Sequence, residues 1–335
     1  MSLLQLPNEV AFLILRYLPH RDLISLAAVN KKFHRLSQES SLWRRITLDA
    51  RAVMWKERCV RKLLSRCPNL TSVVIKDRLG YGLSRQILRV LGEAKDSLQN
   101  LQLADSLNHW STDDMQALSM MSKLQSLHIS ILNVDASNSL ESIAHLTGLR
   151  VLVLRLMNFS LATAPHLLAL NHVFKCLTNL LYVDVNPIGN LNIRVLAAYN
   201  PNIETLNIHR FWVSDETLQA LISCCPKLEV LRIMHMPDTL EMVCSLANLK
   251  KLHITGDNTC GDLILSRLVE SNPNLEELHM CGGRSPYITP SGIASMITKS
   301  QTIRKIEFFH YSSHIEDEDK KNLQEMFPMV TINFD

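Results

Sequence analysis

The chain has 335 residues, 47 % hydrophobic and 20 % charged, with a formal net charge of +3. That composition suits an ordered soluble protein, and no run of about 18 uncharged apolar residues offers a membrane-spanning helix. Met1-Ser2-Leu3-Leu4-Gln5 carries no basic start and no small-residue cleavage site, so no secretory leader is expected and reduced thiols in cytoplasm or nucleus are.

The charge is uneven. Residues 1–66 hold 13 Lys and Arg against 5 Asp and Glu, a balance of +8, and the remaining 22 against 27 give −5. A basic N-terminal segment favours an acidic partner, unless it is only a solvated basic face.

The first forty-odd residues read as three short helices. Asn8 can cap the first, with Glu9 in its first turn. Val10, Leu13, Ile14, Tyr17 and Leu18 follow at helical spacing on one face, and Pro19 ends the run. Asp22 can cap a second helix bearing Leu23, Leu26 and Ala27. Asn30 can cap a third bearing Phe33 and Leu36, and Leu42-Trp43 closes the unit before Ile46. Three helices this short cannot enclose a large core, so the unit must dock on its neighbour or offer apolar surface to another protein. Residues 47–66 lack any repeat; Val53, Trp55, Val60, Leu63 and Leu64 predict a helix, with no Gly/Ser-rich linker, so a rigid junction is expected.

From Leu70 onward one pattern, Leu-x-x-Leu-x-Ile, recurs ten times, with first positions at Leu70, Leu98, Leu124, Leu149, Leu180, Ile203, Leu228, Leu249, Leu275 and Ile303. The mean interval, (303 − 70)/9, is about 26 residues, inside the range of leucine-rich repeats. Such a unit cannot bury its apolar face alone and must stack on neighbours. Residues 67–335 therefore read as an α/β solenoid: a concave parallel β-sheet from the repeat motif, helices on the convex side. Helix starts are expected at Ser214, Thr289-Pro290 and after Asp262. The long interval after Leu149 predicts an extra turn near residues 161–165. A helix over 316–327 and a strand Val330-x-Ile332-x-Phe334 should cap the end.

Alternation within each strand sends the intervening residues outward. The outward column reads His128, Val153, Asp184, Asn207, Arg232, His253, His279 and Glu307. Two positions on come Ser130, Arg155, Asn186, His209, Met234, Thr255, Cys281 and Phe309. The shift toward His, Met and aromatics in the later repeats makes His209, Trp212, Arg232, Met234, His253, His279 and Phe309 the candidate target-binding residues.

Leu6-Pro7-x-Glu9, Leu18-Pro19-x-x-Asp22-Leu23, Val29-Asn30-Lys31 and Leu42-Trp43-Arg44-Arg45, in that order, resemble the F-box. Asn30 stands where that family often has Cys, and Phe33 where it often has Trp. An F-box over residues 1–46, a helical junction over 47–66 and repeats over 67–335 is similar to the F-box/leucine-rich-repeat family, the substrate receptors of Skp–cullin–F-box ubiquitin ligases. The resemblance implies a non-catalytic subunit whose F-box grips the small acidic Skp adaptor, and through it cullin, while the repeats hold a protein to be ubiquitinated. By motif position the adaptor contacts would be Leu6, Pro7, Leu13, Ile14, Leu18, Leu23, Leu26, Val29 and Trp43, unless these pack the three helices together. The alternative is a repeat scaffold or inhibitor that delivers nothing to a ligase.

Chemistry of other kinds finds no anchor. The sequence has no G-x-S-x-G, GxxxxGK[ST] or H-E-x-x-H. The eight cysteines include no C-x-x-C, and Cys67 and Cys225, each before a proline, suit buried structural thiols. No catalytic residue, metal ligand set or cofactor site is expected, and neither nucleic acid nor membrane is an expected partner.

Overall fold

The structure, a computed structural model, describes residues 5–49, 57–65, 67–76, 88, 90–92, 96–104, 109–131, 133–134, 138–156, 164–235, 240–256, 261–281, 288–309 and 315–334. The chain forms two compact units, residues 1–149 and 150–335. This boundary differs from the expected one: it falls inside the repeat array rather than at residue 66. A solenoid repeat touches only its neighbours, so the array itself has no natural domain end.

In the first unit, α1 (Asn8–Leu15), α2 (His20–Ala27) and α3 (Lys31–Ser37) pack around Ala11, Leu15, Leu23, Phe33, Leu36 and Trp43. Asn30 caps α3 as expected, its side chain accepting from the Phe33 amide at 2.9 Å. The other two caps differ. Pro7 and Pro19 occupy the cap positions of α1 and α2, so Asn8 and Asp22 lie inside the first turns. A proline fixes an extended approach and needs no amide there, which lets each helix start earlier than a side-chain cap would place it. Trp43 is buried and its indole N–H donates to the Ser37 carbonyl at 2.6 Å.

Strands β1 (Arg45–Asp49), β2 (Ser72–Lys76), β3 (Asn100–Ala104) and, past the two-residue β4 (His109–Trp110), β5 (Ser126–Ile131) form parallel neighbours in the order β1-β2-β3-β5. β4 pairs separately with β6 (Asn133–Val134). The junction is thus not helical throughout. Ile46 and Leu48 alternate as buried strand residues in register with Val73 and Ile75, and β1 crosses the expected boundary at 46. Helix α4 (Glu57–Leu64) follows; residues 51–56 lie outside the described residues. α5 (Thr112–Ser119) opens on a capping box between Ser111 and Asp114, and the short α6 (Asn138–Glu141) precedes the last turn of the unit.

The second unit is a parallel sheet of β7 (Val151–Leu156), β8 (Tyr182–Asn186), β9 (Thr205–Val213), β10 (Val230–His235), β11 (Lys251–Thr255), β12 (Glu277–Cys281), β13 (Lys305–Phe309) and β14 (Thr331–Phe334), paired in chain order. The chain returns through α7 (Ala164–Cys176), α8 (Asn190–Tyr199), α9 (Asp215–Cys224), α10 (Leu240–Val243), α11 (Asp262–Ser271), α12 (Pro290–Lys299) and α13 (Asp317–Met326). Ser214 and Thr289 cap their helices, and Pro290 takes the first helical position. α11 starts at Asp262 itself, after Gly261. The extra turn expected near 161–165 falls largely outside the described residues, which resume at Ala164.

In all ten repeats the three motif positions are 2 % exposed or less. Burying one such side chain contributes about 1.5–3 kcal/mol, and each depends on the next repeat for its cover. Buried asparagines tie repeats together. Asn200 accepts from the Leu180 amide at 3.2 Å and donates to the Phe174 carbonyl at 3.2 Å; Asn272 accepts from the Leu249 amide at 3.0 Å. Cys67 and Cys225 fill comparable turns, and burial pushes the Cys225 thiol up to about 12.

The C-terminal end closes on α13 and β14. Gln324 on α13 donates to the Val330 carbonyl at 3.0 Å and accepts from the Ile332 amide at 3.2 Å. Those two backbone groups are the ones a further parallel strand would bond. Among the described residues β14 is the edge strand, and one carboxamide takes the bonds a neighbouring strand would make there.

Between α11 and α12, Asp262 accepts from the Thr289 amide at 2.8 Å and from its hydroxyl at 2.7 Å. A Cβ on Gly292 would lie 1.9 Å from an Asp262 carboxylate oxygen. Gly292→Ala is therefore expected to displace Asp262 and cost about 1–3 kcal/mol, the scale of lost hydrogen bonds to a charged group. In an Asp262→Ala background the same change should be neutral or stabilising, since Ala is the better helix former. Urea denaturation midpoints of the four proteins in this double-mutant cycle measure the reversal of sign.

Candidate functional site

Two surfaces differ from their surroundings, one in each unit. The first lies on the three N-terminal helices. Val10, Leu13 and Ile14 are exposed along α1 and Tyr17, at 89 %, just after it; Ile24 on α2 and Val29 just after that helix, at 67 %, are exposed too. The helical stripe legible in the sequence is thus the outward face of α1, and the core face is the pair Ala11 and Leu15, one turn apart. Among the expected adaptor contacts, Leu13, Ile14, Val29 and Pro7 are exposed, and Leu6, Leu18 and Leu26 are half-buried. Leu23 and Trp43 require correction: both are fully covered inside the unit and present no surface to a partner. They hold the helices on which the exposed side chains sit. Val10, Tyr17 and Ile24 belong to the surface and were not among the expected contacts, although Val10 and Tyr17 continue the same helical series.

His20, half-buried at the start of α2, has its ring 5.5 Å from that of Trp43. Burial holds its imidazole below the usual 6.5, with the Leu42 and Arg45 carbonyls pulling partly the other way. In that window the unfolded chain binds a proton that the folded one does not. The contribution is complete above pH 6.5 and is lost as pH falls through the folded value. Urea midpoints should therefore decline below pH 6.5, and His20→Gln should remove that part of the slope.

The second surface is the open face of the sheet in the second unit. In register across β8 to β14 stand Asp184, Asn207, Arg232, His253, His279, Glu307 and Asn333. Beside them Tyr182, Thr205, Val230, Lys251, Glu277 and Lys305 form a parallel row. The rings of His253 and His279 stack at 3.7 Å, and Phe309 tilts against His279 at 4.7 Å. Glu307 accepts from His279 Nδ1 at 2.8 Å, Lys305 Nζ at 2.8 Å and Asn333 Nδ2 at 3.0 Å. A carboxylate only accepts, so His279 carries its hydrogen on Nδ1. Arg155 lies 3.7 Å from Asp184, and Lys251 lies 2.6 Å from Glu277.

The structure thus brings His253, His279 and Phe309 into one stacked group and sets Arg232 in the adjoining strand. Met234 pairs with Trp212 where the β9–β10 register shifts, and Trp212 is 43 % exposed. The backbone of His209 lies in β9; its side chain lies outside the described residues. Tyr182, Asp184, Asn207 and Lys251 share this face and were not among the candidate residues. The outward column already named Asp184 and Asn207, but their polar role depends on cross-strand partners that spacing does not reveal. Among the described residues no group of three or more His, Cys, Asp or Glu could hold a metal ion, and no helix is long and apolar enough to cross a membrane.

An F-box-like family model matches residues 3–49, and a model described as "FBD-associated F-box protein At5g56370, LRR repeats" matches residues 190–314. Together they cover just over half of the chain. The chain belongs to the F-box/leucine-rich-repeat family. No curated protein sequence matches it. Among solved structures, a chain of the yeast Rad7–Elc1 complex shares the fold with a TM-score of 0.64 at 13 % identity, covering 97 % of this chain and 92 % of that one. The leucine-rich repeat-containing protein LegL7 from Legionella pneumophila gives a TM-score of 0.44 at 13 % identity over 86 % of this chain and 89 % of its own.

Glu307 has a testable consequence for this F-box/leucine-rich-repeat chain. The Lys305 hydrogen bond foremost, with those of His279 and Asn333, holds its carboxyl at about 2, below the ordinary 4.5. A depressed carboxyl stabilises the fold above its unfolded value and loses that effect as pH falls through the folded one. The stability gap between wild type and Glu307→Gln should be constant above about pH 5. It should close between pH 4.5 and 2 when followed by thermal denaturation against pH.

Proposed function

We propose that this protein is the substrate-recognition subunit of an SCF-type E3 ubiquitin ligase. The N-terminal unit holds a Skp adaptor, and through it cullin, while the open face of the repeats holds the protein to be ubiquitinated. The carrying observation is the exposed apolar set on an F-box-like domain: Val10, Leu13, Ile14, Tyr17, Ile24 and Val29 lie in water in a unit too small to bury them. Exposed large apolar side chains in this number on so short a stretch are the mark of a protein interface. The basic balance of residues 1–66 favours the acidic adaptor that the family uses. The structural neighbour is itself seen in a two-protein complex, Rad7 with Elc1, which accords with a partner for this fold. In this reading the chain's part is binding, as in the family it belongs to, and a separate enzyme supplies the chemistry of ubiquitin transfer. The target-binding face is assigned to Trp212, Arg232, Met234, His253, His279 and Phe309, with His209 in the same strand as Trp212. Its place of action is the cytoplasm or the nucleus.

The test is capture of purified Skp adaptor. Leu13→Asp with Tyr17→Asp changes only exposed positions, so the melting temperature should stay near wild type. Hot-spot truncations cost 2 kcal/mol or more, so adaptor affinity should fall by about thirty-fold or greater. Undiminished capture by the folded double variant overturns the assignment.

A further inference from the structure

Strand β9 is longer than the strands on either side of it, and its pairing is uneven. It keeps register with β8 as far as Asp184 and Asn207. On the other side it leaves the register of β10 after Ile233 and rejoins it three residues further on, with Trp212 beside Met234 and Val213 beside His235. The inserted length carries Trp212 onto the open face, 43 % exposed, and turns Val213 inward, 2 % exposed. A bulge interrupts the ladder that would hold it. A large aromatic on such a segment takes several orientations unless something else ties the backbone.

That tie is Asn190, the first residue of α8 in the preceding repeat. Its Nδ2 donates to the Trp212 carbonyl at 3.2 Å, and its Oδ1 accepts from the Ser214 amide at 3.0 Å. These are the carbonyl before Val213 and the amide after it. In a parallel ladder a strand residue bonds those two groups around the residue opposite. One carboxamide therefore occupies the ladder position beside Val213 on the β8 side. β8 itself does not reach that position: it ends at Asn186, and Pro187, next in the chain, has no amide hydrogen to donate. The same chemistry closes β14, where Gln324 brackets Thr331. Asn190 stands on a fixed base. The Gly189 amide donates to Asn192 Oδ1 at 3.1 Å, and Asn192 Nδ2 donates to Asn171 Oδ1 on α7 at 2.7 Å.

We propose that Asn190 is the positioning residue of the target-binding face. It fixes the backbone on both sides of Val213 and so sets Trp212 beside Met234 before any target arrives. It acts through Trp212, which makes the contact. An aromatic held in place loses less freedom on binding than a mobile one, so more of its buried area appears as affinity. Both halves of the carboxamide are needed, a donor for the Trp212 carbonyl and an acceptor for the Ser214 amide. Alanine offers neither. Ionised aspartate offers only acceptors, and its charge repels the Trp212 carbonyl. The inference rests on the reading of the chain as a target receptor and adds which residue prepares its aromatic contact.

The test uses the full chain labelled with 5-fluorotryptophan and read by fluorine NMR, where Trp212→Phe identifies the Trp212 signal. Exchange of the Ser214 amide is followed on the same proteins by hydrogen–deuterium exchange. The wild-type chain should give one sharp Trp212 signal. Asn190→Ala should broaden or split it, and the Ser214 amide should exchange about fivefold faster, the scale of one net hydrogen bond. Asn190→Asp should disturb Trp212 in the same way yet leave the Ser214 amide as slow as in wild type, because the acceptor is kept. Ser214→Ala removes the side-chain cap of α9 and leaves the bracket whole. It should lower the melting temperature while the Trp212 signal stays sharp. Gln324→Ala, the matching change at β14, should also leave that signal unmoved. Melting temperatures confirm that each variant is folded. A Trp212 signal already broad in wild type, or unchanged in either Asn190 variant, overturns the proposal. So does a Ser214→Ala chain that disturbs Trp212 equally, since Asn190 is then one structural contact among several. Skp adaptor capture is measured on the same samples. Intact capture with an unmoved Trp212 signal removes only this inference, whereas a wild-type chain that captures no adaptor removes the receptor reading itself.

Discussion

Parallel pairing in a constant frame governs the repeat array. In the second unit Leu152, Val183, Leu206, Leu231, Leu252, Leu278, Ile306 and Ile332 occupy one rung after another, each on its own strand. A slip of one residue would carry this entire row to the open face and bring the polar column inward. The apolar motif therefore does two things at once. It builds the core, and it fixes which side chains line up outside it. Asp184, Asn207, Arg232 and His253 are neighbours because the leucines beneath them must be. The one break in the frame falls between Ile233 and Met234, where β9 runs three residues ahead and brings Trp212 into the row of Met234. The open face gains an aromatic there by insertion, without disturbing the core below.

The same constraint explains why the ends differ from the middle. An interior strand finds both its backbone partners in adjacent repeats. At β14 the far side has no strand among the described residues, and Gln324 supplies the two bonds instead. The N-terminal helices face the opposite problem, too little volume rather than an open edge. Their core admits Ala11, Leu15, Leu23, Phe33, Leu36 and Trp43, and the apolar stripe of α1 stays outside. Trp43, wholly enclosed and bonded to the Ser37 carbonyl, gives that small core its largest buried side chain. The exposed face of the unit is then free for another protein.

Much of this was legible in sequence because it is local or periodic. Thirty repeat positions follow from the spacing alone, as do the caps at Asn30, Ser214 and Thr289, each decided within three residues of chain. The direction of a helix stripe was not legible. Val10, Leu13, Ile14 and Tyr17 satisfy the spacing of a buried face, and only the packing of α1 against its neighbours shows that Ala11 and Leu15 were chosen instead. Leu23 and Trp43 were misread for the same reason: a motif position does not say whether a residue makes the surface or supports it. β1 escaped notice because Ile46 and Leu48 are two apolar residues without the leading leucine of the repeat. On the open face, the column from Asp184 to Glu307 stands in register as the spacing predicts, although Asp184 and Asn207 are buried within it and the side chain of His209 lies outside the described residues. What spacing could not supply was the pairing between strands 20 to 30 residues apart, and pairing decides which charges remain.

That pairing separates a passive polar face from a recognising one. Polar residues on an exposed sheet need no partner, because water serves them. Once the side chains crowd enough to exclude water, each group must find a complement or carry a cost. Around Glu307 the complement is complete: three donors surround one carboxylate, and the group is rigid and neutralised. Such a network orders the His253–His279 stack but leaves little for a partner to bond. Around Asn207 the complement is incomplete at one buried oxygen, with an unpaired guanidinium one strand away. It is not alone: Asn100, Asp114 and Asn186 each keep a buried side-chain oxygen without a partner as well. The face is thus uneven: at the Glu307 end every charge is answered, and at the Asn207 end the guanidinium of Arg232 stays exposed.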